Sequence, residues 1–380
     1  MIIPYLRQDL EIFRGNSRED GSPAWLLYDA VRNKYFTVGL TAFRLIKNWR
    51  GGEDIQNFEK KINSQGIETT GDEIKSFVGF LQQNNLIIQP QGQGVPYLMQ
   101  QKNSLKKSWI MNLIHSYLFF KIPLFTPDEW LGRTLDKVKF LGSKKIRNII
   151  YILGFIGLFF VIQQFENFTK TFLYFFSLKG LMLYFITLVF VKCLHELGHA
   201  YIAKYHGCKV SAIGIAFLVF FPFLYTDTTD AWRLRNHKDR LLINFAGILT
   251  ELHLALIATF VWGILPEGGL KSAAFFIATT SWISSIAINV SPFMRFDGYY
   301  VFSDWLKAEN LQPRSFALAK WKTRETLFGF NHKPPEEISP SRRWTFIIYA
   351  WSTWVYRFFL FIGIALLVYY FAFKVLGIIL

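Results

Sequence analysis

The stretch VFVKCLHELGHAYIAKYHGC, from Val189 to Cys208, combines two features that seldom occur together. It continues an apolar run that can enter a bilayer, yet it carries His195, Glu196 and His199 on consecutive turns of one helix. Ionisable side chains are costly at membrane depth and are normally found there because they have a function. The fold and the chemistry of this chain are therefore decided at the same place in the sequence.

The spacing of His195 and His199 favours a metal site. Residues i and i+4 project from the same face of a helix, so both imidazoles can reach one ion. Zinc accepts two such ligands at about 2.0–2.1 Å per nitrogen. Glu196 lies one residue further around the helix, where its carboxylate can take a proton from a zinc-bound water. We therefore predict a zinc centre with Glu196 as the catalytic base.

A catalytic zinc needs a third protein ligand and keeps one position open for water. The candidate ligand is Asp297, in the stretch NVSPFMRFDGYYVFSDWL. Pro292 ends the preceding helix, and Gly298 frees the backbone next to the carboxylate. From the spacing alone, Asp297 can equally cap the next helix or pair with Arg295. The ligand role therefore stays open at this point.

Composition and charge indicate a membrane protein. The chain has 380 residues, of which 52% are hydrophobic, and a formal net charge of +15. Residues 146–380 contain several apolar runs of about 20 residues, the length that spans a hydrocarbon core. Lys and Arg cluster beside these runs, which indicates a positive-inside bias and contact with anionic lipids, and which argues against nucleic acid as a partner.

We predict a polytopic α-helical membrane protein with about five spans and one re-entrant segment at residues 210–225. Alternation of the basic loops puts the N-terminus in the cytoplasm and the protein in the inner, or cytoplasmic, cell membrane as a multi-pass protein. Whether the last apolar run is one helix or a hairpin stays open. The predicted spans are 146–164, 181–206, 241–265, 273–290 and 344–380.

The N-terminal part has the pattern of a small soluble domain. AWLLYD (24–29) and KYFTVG (34–39) alternate apolar and polar residues and predict a β-hairpin. Three helical patterns follow, at residues 41–49, 53–63 and 71–85. We predict an α+β, winged-helix-like domain over residues 1–88, a Gln-, Gly- and Pro-rich linker over 89–107, and the membrane domain over 108–380.

Two motifs together carry a family resemblance. HELGH in the second predicted span, followed later by N-x-x-P-x-x-x-x-D-G from Asn289 to Gly298, resembles the site-2 protease family of intramembrane zinc metalloproteases. Within that family the chain is most similar to a bacterial group of peptide zinc metalloproteases. The resemblance implies that Asn289 contacts the substrate backbone and that Glu196 is the base. It also implies the zinc ligands His195, His199 and Asp297.

One departure from the family pattern concerns the third predicted span. Many site-2 proteases have an AGPxxN element there, whereas this chain has AGILTE, with Glu251 in place of the asparagine. Glu251 and His253 lie inside the span and must face protein. They either support the metal centre as second-shell or proton-handling groups or form a structural hydrogen-bonded pair. The residues alone do not choose between these roles.

The N-terminal domain resembles PqqD-like peptide-recognition domains in its order of hairpin, three helices and final short strand. Such domains bind a leader peptide as an added strand at an open sheet edge. The resemblance implies a peptide or membrane-protein substrate, with an ABC exporter or adaptor protein as a further partner.

We expect a zinc-dependent intramembrane endopeptidase that acts in peptide maturation or export. The alternative is a non-proteolytic membrane component of a peptide-export or modification system that binds peptide through its N-terminal domain. The intact glutamate of HELGH favours the enzyme, because a structural zinc site is closed by a fourth ligand and has no use for a base.

Overall fold

The computed structural model describes residues 2–15, 23–88, 119–173, 177–218 and 221–379. The predicted linker 89–107 lies outside these residues, and the predicted domain boundaries stay predictions. The chain divides into two compact units. The first comprises Met1–Arg147 with Lys192–Ile243, and the second comprises Asn148–Val191 with Asn244–Leu380.

The first unit begins with a three-stranded antiparallel sheet in the order β1-β2-β3. The predicted hairpin is present as β2 and β3, whereas β1 was not predicted because most of its side chains are exposed and give no buried alternation. The strands are β1 Leu10–Arg14, β2 Trp25–Asp29 and β3 Lys34–Val38.

Three helices follow the sheet, as the periodicity indicates: α1 Leu40–Lys47, α2 Ile55–Ser64 and α3 Gly71–Gln83. Asp54 caps α2 by accepting a hydrogen bond from the Gln56 backbone, and Thr70 with Glu73 forms a capping box at the start of α3. Each helix buries one apolar face, and Phe58 and Ile74 lie in the shared core. A winged-helix relationship stays a prediction.

An ion-paired carboxylate fixes the turn between β2 and β3. Asp29, at the end of β2, is fully buried and pairs with Arg7 at 2.9 Å and with Arg32 at 2.5 Å. Burial acts to raise the pKa of Asp29, but the hydrogen bonds from both arginines outweigh it, so that the pKa lies below its usual value. The turn that follows β2 is thereby held to the body of the domain.

The first unit also contains a second antiparallel sheet, in the order β4-β5-β6, and the helix α4. The predicted re-entrant segment 210–225 forms the β5–β6 hairpin, and its depth in a membrane stays a prediction. Leu131 of α4 packs against Ala200 and Ala203, so this sheet and the motif helix share one core. The elements are β4 Phe119–Phe125, α4 Asp128–Val138, β5 Ile213–Leu218 and β6 Phe221–Thr226.

Helices form the second unit. Its described elements, some of which extend from the first unit, are α5 Lys144–Gln163, α6 Phe165–Leu173, α7 Leu178–Tyr205, α8 His237–Ile264, α9 Gly269–Ile283, a π-helix Ser284–Asn289, α10 Asp297–Trp305, α11 Leu311–Phe328 and α12 Pro340–Ile379. The last apolar run is thus one continuous helix.

Four of the described helices are long and apolar enough to cross a membrane: residues 144–163, 178–205, 237–264 and 340–370. They correspond to four of the predicted spans. The remaining predicted span, 273–290, is divided between α9 and the π-helix. The count of five spans therefore stays a prediction.

Glycines bring α5 and α8 into close contact within the second unit. A Cβ atom at Gly154 would lie 2.4 Å from Leu256, and one at Gly157 would lie 2.5 Å from the backbone nitrogen of Phe260. Gly263 of α8 is equally tight against Phe160. Small residues at such positions let membrane helices pack backbone to backbone. This packing holds the helix that carries Glu251.

Replacing Asp29 should destabilise the N-terminal domain. Asp29→Ala leaves Arg7 and Arg32 without their buried partner, at a cost of about 3 kcal/mol, the lower end of the usual range because both arginines partly reach solvent. The stabilisation by the Asp29 carboxylate is fully present above its unfolded-state pKa of about 3.9. It is lost as the pH falls through the lower pKa that Asp29 has in the folded state.

Hydrogen exchange of the amides in β2 and β3 measures this loss as a change in local unfolding free energy. The exposed pair Asp72–Lys75 provides the control, because Asp72→Ala should change stability by less than about 0.5 kcal/mol. Equal effects of the two substitutions would contradict the anchoring role of Asp29.

Candidate metal centre

The two motif histidines present their ring nitrogens to one point. The Nε2 atoms of His195 and His199 are 3.2 Å apart, and the two residues are only 5% and 8% exposed. Two ligands of a tetrahedral zinc with bonds of about 2.0–2.1 Å have donor atoms about 3.3 Å apart. The histidine pair therefore fits one zinc ion without rearrangement.

A carbonyl from another helix fixes the tautomer of His199. Its Nδ1 lies 2.7 Å from the backbone oxygen of Ile243 in α8. Because a carbonyl oxygen only accepts hydrogen bonds, Nδ1 carries the proton and Nε2 keeps its lone pair for a metal. Such an outer partner orients a metal-binding imidazole and raises its basicity.

Asp297 completes a group of three possible ligands. The ligand atoms of His195, His199 and Asp297 all lie within 4.8 Å of one another. Asp297 is the first residue of α10, with Phe296 at the N-cap position, so the positive end of the helix dipole favours its carboxylate. Two imidazoles and one carboxylate form a donor set typical of a catalytic zinc site that keeps a position open.

The structure gives Gly298 a different role from the one the sequence suggested. Its backbone is not in the left-handed region, but a Cβ atom there would lie 2.4 Å from the carbonyl oxygen of Val290 and 2.5 Å from that of Asn289. Space, and not backbone freedom, requires glycine. The beginning of α10, and with it Asp297, therefore packs directly on the end of the π-helix.

Glu251 holds the π-helix in place. It is fully buried, and its Oε2 accepts hydrogen bonds from Ser285 Oγ at 2.7 Å and from Asn289 Nδ2 at 3.1 Å. Single π-helical turns inside α-helices are frequent at functional sites, because they turn side chains away from the regular register. Glu251 is thereby linked to Asn289, whose carbonyl touches Gly298.

His253 lies elsewhere on α8. Its ring faces Tyr151 of α5, with the ring centroids 5.7 Å apart. Among the described residues, the group of possible metal ligands includes neither His253 nor Glu251. A role for His253 in supporting the metal ligands stays a prediction.

Glu196 is half-buried, and its backbone is tied to the β5–β6 hairpin. Thr226, the last residue of β6, donates from Oγ1 to the carbonyl oxygen of Glu196 at 3.1 Å. Sequence reasoning missed Thr226, because nothing in the local pattern YTDTTD indicates a bond to a distant helix. This contact joins the turn that carries HELGH to the edge strand of the second sheet.

The comparison with protein families agrees with this geometry. Residues 182–296 match Peptidase family M50, the family of the site-2 proteases. The matched segment contains HELGH, Glu251 and Asn289 and ends one residue before Asp297. The match is confined to this segment of the chain, and it supports a membrane-embedded metalloprotease. The curated proteins and the solved structures give no match, and the PqqD-like character of the N-terminal domain stays a prediction.

Removing both histidines should abolish metal binding. Purified protein should contain about one zinc per chain, and the double variant His195→Ala, His199→Ala should contain none, because two of the three donors are lost. Asp297→Ala should weaken binding. His206→Ala, immediately after the same helix, serves as the matched control and should keep its metal. Metal analysis by mass spectrometry measures all four proteins, and full zinc retention in the double variant would contradict the site.

Glu251 should influence the metal indirectly. Glu251→Leu removes the acceptor for Ser285 and Asn289, which should loosen the support of Asp297 and lower zinc affinity by about 10–100-fold. Glu251→Gln should stay close to the wild type, because a single amide oxygen can accept both hydrogen bonds. The neighbouring Thr250→Val is the control. Competition with a chelator measures affinity, and an effect of Gln as large as that of Leu would point to the charge instead.

Proposed function

We propose that this protein is a zinc-dependent intramembrane endopeptidase that hydrolyses a peptide or a membrane-spanning protein in peptide maturation or export. The observation that carries the proposal is the convergence of the ligand atoms of His195, His199 and Asp297 within 4.8 Å, with both histidines in a helix apolar enough to span a membrane. The M50 match over the same helix supports it.

The reaction divides between the metal and Glu196. His195, His199 and Asp297 would hold the zinc, which when bound would supply a water with a pKa lowered to about 7 and a Lewis acid for the scissile carbonyl. Glu196 follows His195 directly in the sequence, as in other HExxH motifs, and we assign its carboxylate the role of general base. It accepts the proton of the water and then returns it to the leaving amine.

One of the two polar groups of the Asn289 side chain already has a partner within the protein. Its Nδ2 group donates to Glu251, which orients the amide and makes Oδ1 the atom for accepting a hydrogen bond. We assign this oxygen to a backbone N–H of the substrate. Glu251 and Ser285 then act as positioning residues for Asn289, and a fixed amide oxygen favours an extended substrate over a helix, whose N–H groups are already bonded.

The β5–β6 hairpin provides the surface for such an extended segment. The order β4-β5-β6 leaves β6 at the edge of the sheet as far as the described residues go. An edge strand can pair with an added peptide strand, whose main-chain hydrogen bonds give affinity. Because Thr226 at the end of β6 bonds to the backbone of Glu196, a peptide paired along β6 is led toward the catalytic residues.

The proposed location is the inner, or cytoplasmic, cell membrane, with a cytoplasmic N-terminus. The basic residues near the start of α8 support this orientation, and Arg240 lies over the ring of Trp232 at 4.7 Å, an arrangement typical of the interface with lipid head groups. Contacts with anionic lipids follow from the same basic residues.

The N-terminal domain is proposed to recognise the peptide, with an ABC exporter or adaptor as a further partner. The sequence suggested that the hairpin of β2 and β3 offers an open edge. Within this hairpin β2 is also paired with β1, and β3 keeps its outer edge among the described strands. Among the described strands, the edges left for an added peptide strand are those of β1 and β3.

Glu196→Gln should keep zinc and the fold but lower peptide hydrolysis by about 10²–10⁴-fold, since it removes the base and no metal ligand. Cleavage of an unstructured fluorogenic peptide, and of a single-span test protein in proteoliposomes, measures the loss. Glu166→Gln, an exposed glutamate on α6, is the matched control.

Near wild-type hydrolysis by zinc-loaded Glu196→Gln would assign the chemistry to another residue. If the wild type binds zinc but cleaves neither substrate, the zinc site stands and the peptidase proposal loses its support.

A further inference from the structure

The turn of the N-terminal hairpin contacts the base of the β5–β6 hairpin within the first unit. Asn33 Nδ2 donates to Ser211 Oγ at 3.0 Å and to Asp227 Oδ2 at 3.2 Å. Tyr35 donates from its hydroxyl to Asp230 Oδ1 at 2.5 Å. We call these five residues the latch.

The N-terminal side of the latch is preformed. Asn33 has a left-handed backbone with φ of 49°, a conformation that asparagine tolerates better than most residues. The hydroxyl of Tyr28 donates to Asn33 Oδ1 at 3.2 Å, so the amide cannot flip without losing a bond. The rings of Tyr28 and Tyr35 stack at 4.4 Å. The side chains of Asn33 and Tyr35 are therefore oriented by contacts within the N-terminal domain.

The acceptors of the latch, Ser211, Asp227 and Asp230, lie in the two segments that precede β5 and follow β6. Asp230 is buried, accepts the backbone N–H of Lys209 at 2.7 Å and pairs with Arg233 at 3.2 Å. The backbone N–H of Asp227 donates to the carbonyl of Ala212 at 2.9 Å. The segments that enter β5 and leave β6 are thus held together where Asn33 and Tyr35 bind.

The bond between Tyr35 and Asp230 persists over the working pH range. Burial, followed by the hydrogen bond to Asp230, raises the pKa of Tyr35 well above its usual value, so the hydroxyl stays protonated and remains a donor. A neutral donor to a buried carboxylate is among the stronger hydrogen bonds in proteins. Removing the hydroxyl leaves Asp230 with one donor fewer.

The latch lies one residue from the contact with the motif helix. Asp227 directly follows Thr226, whose Oγ1 donates to the backbone oxygen of Glu196. A continuous set of hydrogen bonds thus runs from the N-terminal domain through the end of β6 to the turn of α7 that carries HELGH. Contiguous hydrogen-bonded groups of this kind carry coupling between distant sites when the element they join has two discrete arrangements.

We infer that the N-terminal domain controls the proposed peptidase through the latch, with Asn33 and Tyr35 as positioning residues that hold the β5–β6 hairpin against the backbone of Glu196. The predicted effect on turnover rests on the proposed function. The predicted support of the β5–β6 hairpin by Asn33 and Tyr35 concerns only contacts within the first unit. A peptide or adaptor that pulls on the domain would then change the rate of hydrolysis and not only substrate affinity.

The test uses the zinc-loaded full chain with Tyr35→Phe, Asn33→Gly and the double variant. Phenylalanine keeps the stacked ring and loses only the hydroxyl, and glycine keeps the left-handed backbone and loses only the amide. Tyr5→Phe, which also removes one hydroxyl but from an exposed tyrosine outside the strands of this sheet, is the matched control. Hydrogen exchange of residues 213–218 and 221–226 is measured together with kcat, KM and zinc content.

In the double variant, the amides of the β5–β6 hairpin should exchange about tenfold faster or more, while those of α1, α2 and α3 keep their protection. The value of kcat should fall by about tenfold with zinc content unchanged, because a small displacement of catalytic groups is costly. Each single variant should show a smaller change in the same direction, and Tyr5→Phe should show none.

Unchanged exchange in β5 and β6 overturns the inference, whatever the activity. Faster exchange with wild-type kcat also overturns it, because the latch then supports structure alone. If the double variant unfolds the domain, the single variants decide by the same criteria. If the wild type has no peptidase activity, faster exchange of β5 and β6 still supports the latch while the proposed function fails, so the two failures are distinguishable.

Discussion

Two imidazoles facing each other inside an apolar helix are the constraint on which the rest of the site depends. The Nε2 atoms of His195 and His199 are 3.2 Å apart and almost fully buried, so the two rings present their nitrogens to one point that is shielded from solvent. The carbonyl of Ile243 fixes the proton of His199 on Nδ1 and so leaves Nε2 as a Lewis base. A metal cation is the natural partner for such a pair, and the carboxylate of Asp297 is the third possible ligand of the group.

His199, Glu196 and Asp297 are each positioned by a different kind of contact. His199 depends on a backbone carbonyl, Glu196 on a threonine at the end of an edge strand, and Asp297 on the absence of a side chain at Gly298. Polar contacts of this sort are directional, so they place groups more precisely than apolar packing does. The buried carboxylate of Glu251 extends the same principle to the π-helix.

The sequence pattern predicted those features that are determined by residues close together in the chain. The i, i+4 spacing identified His195 and His199, and the periodicity of residues 71–85 predicted α3, which runs from Gly71 to Gln83. Asp297 needed the structure, because its distance from the histidines depends on how the chain returns after α9. Thr226 and the π-helix were missed for the same reason, since their contacts are with residues about 30 or more positions away, whereas β1 was missed because most of its side chains are exposed. Gly298 was singled out correctly but for the wrong physical reason.

The glycine contacts between α5 and α8 bear on how a substrate helix reaches the centre of a membrane enzyme. At Gly154, Gly157 and Gly263 the two helices approach so closely that even a methyl group does not fit. A substrate helix about 10 Å wide cannot pass between two backbones packed in this way. The α5–α8 contact is therefore closed to a helix, and the proposed membrane-spanning substrate would have to enter at another side of the helical unit.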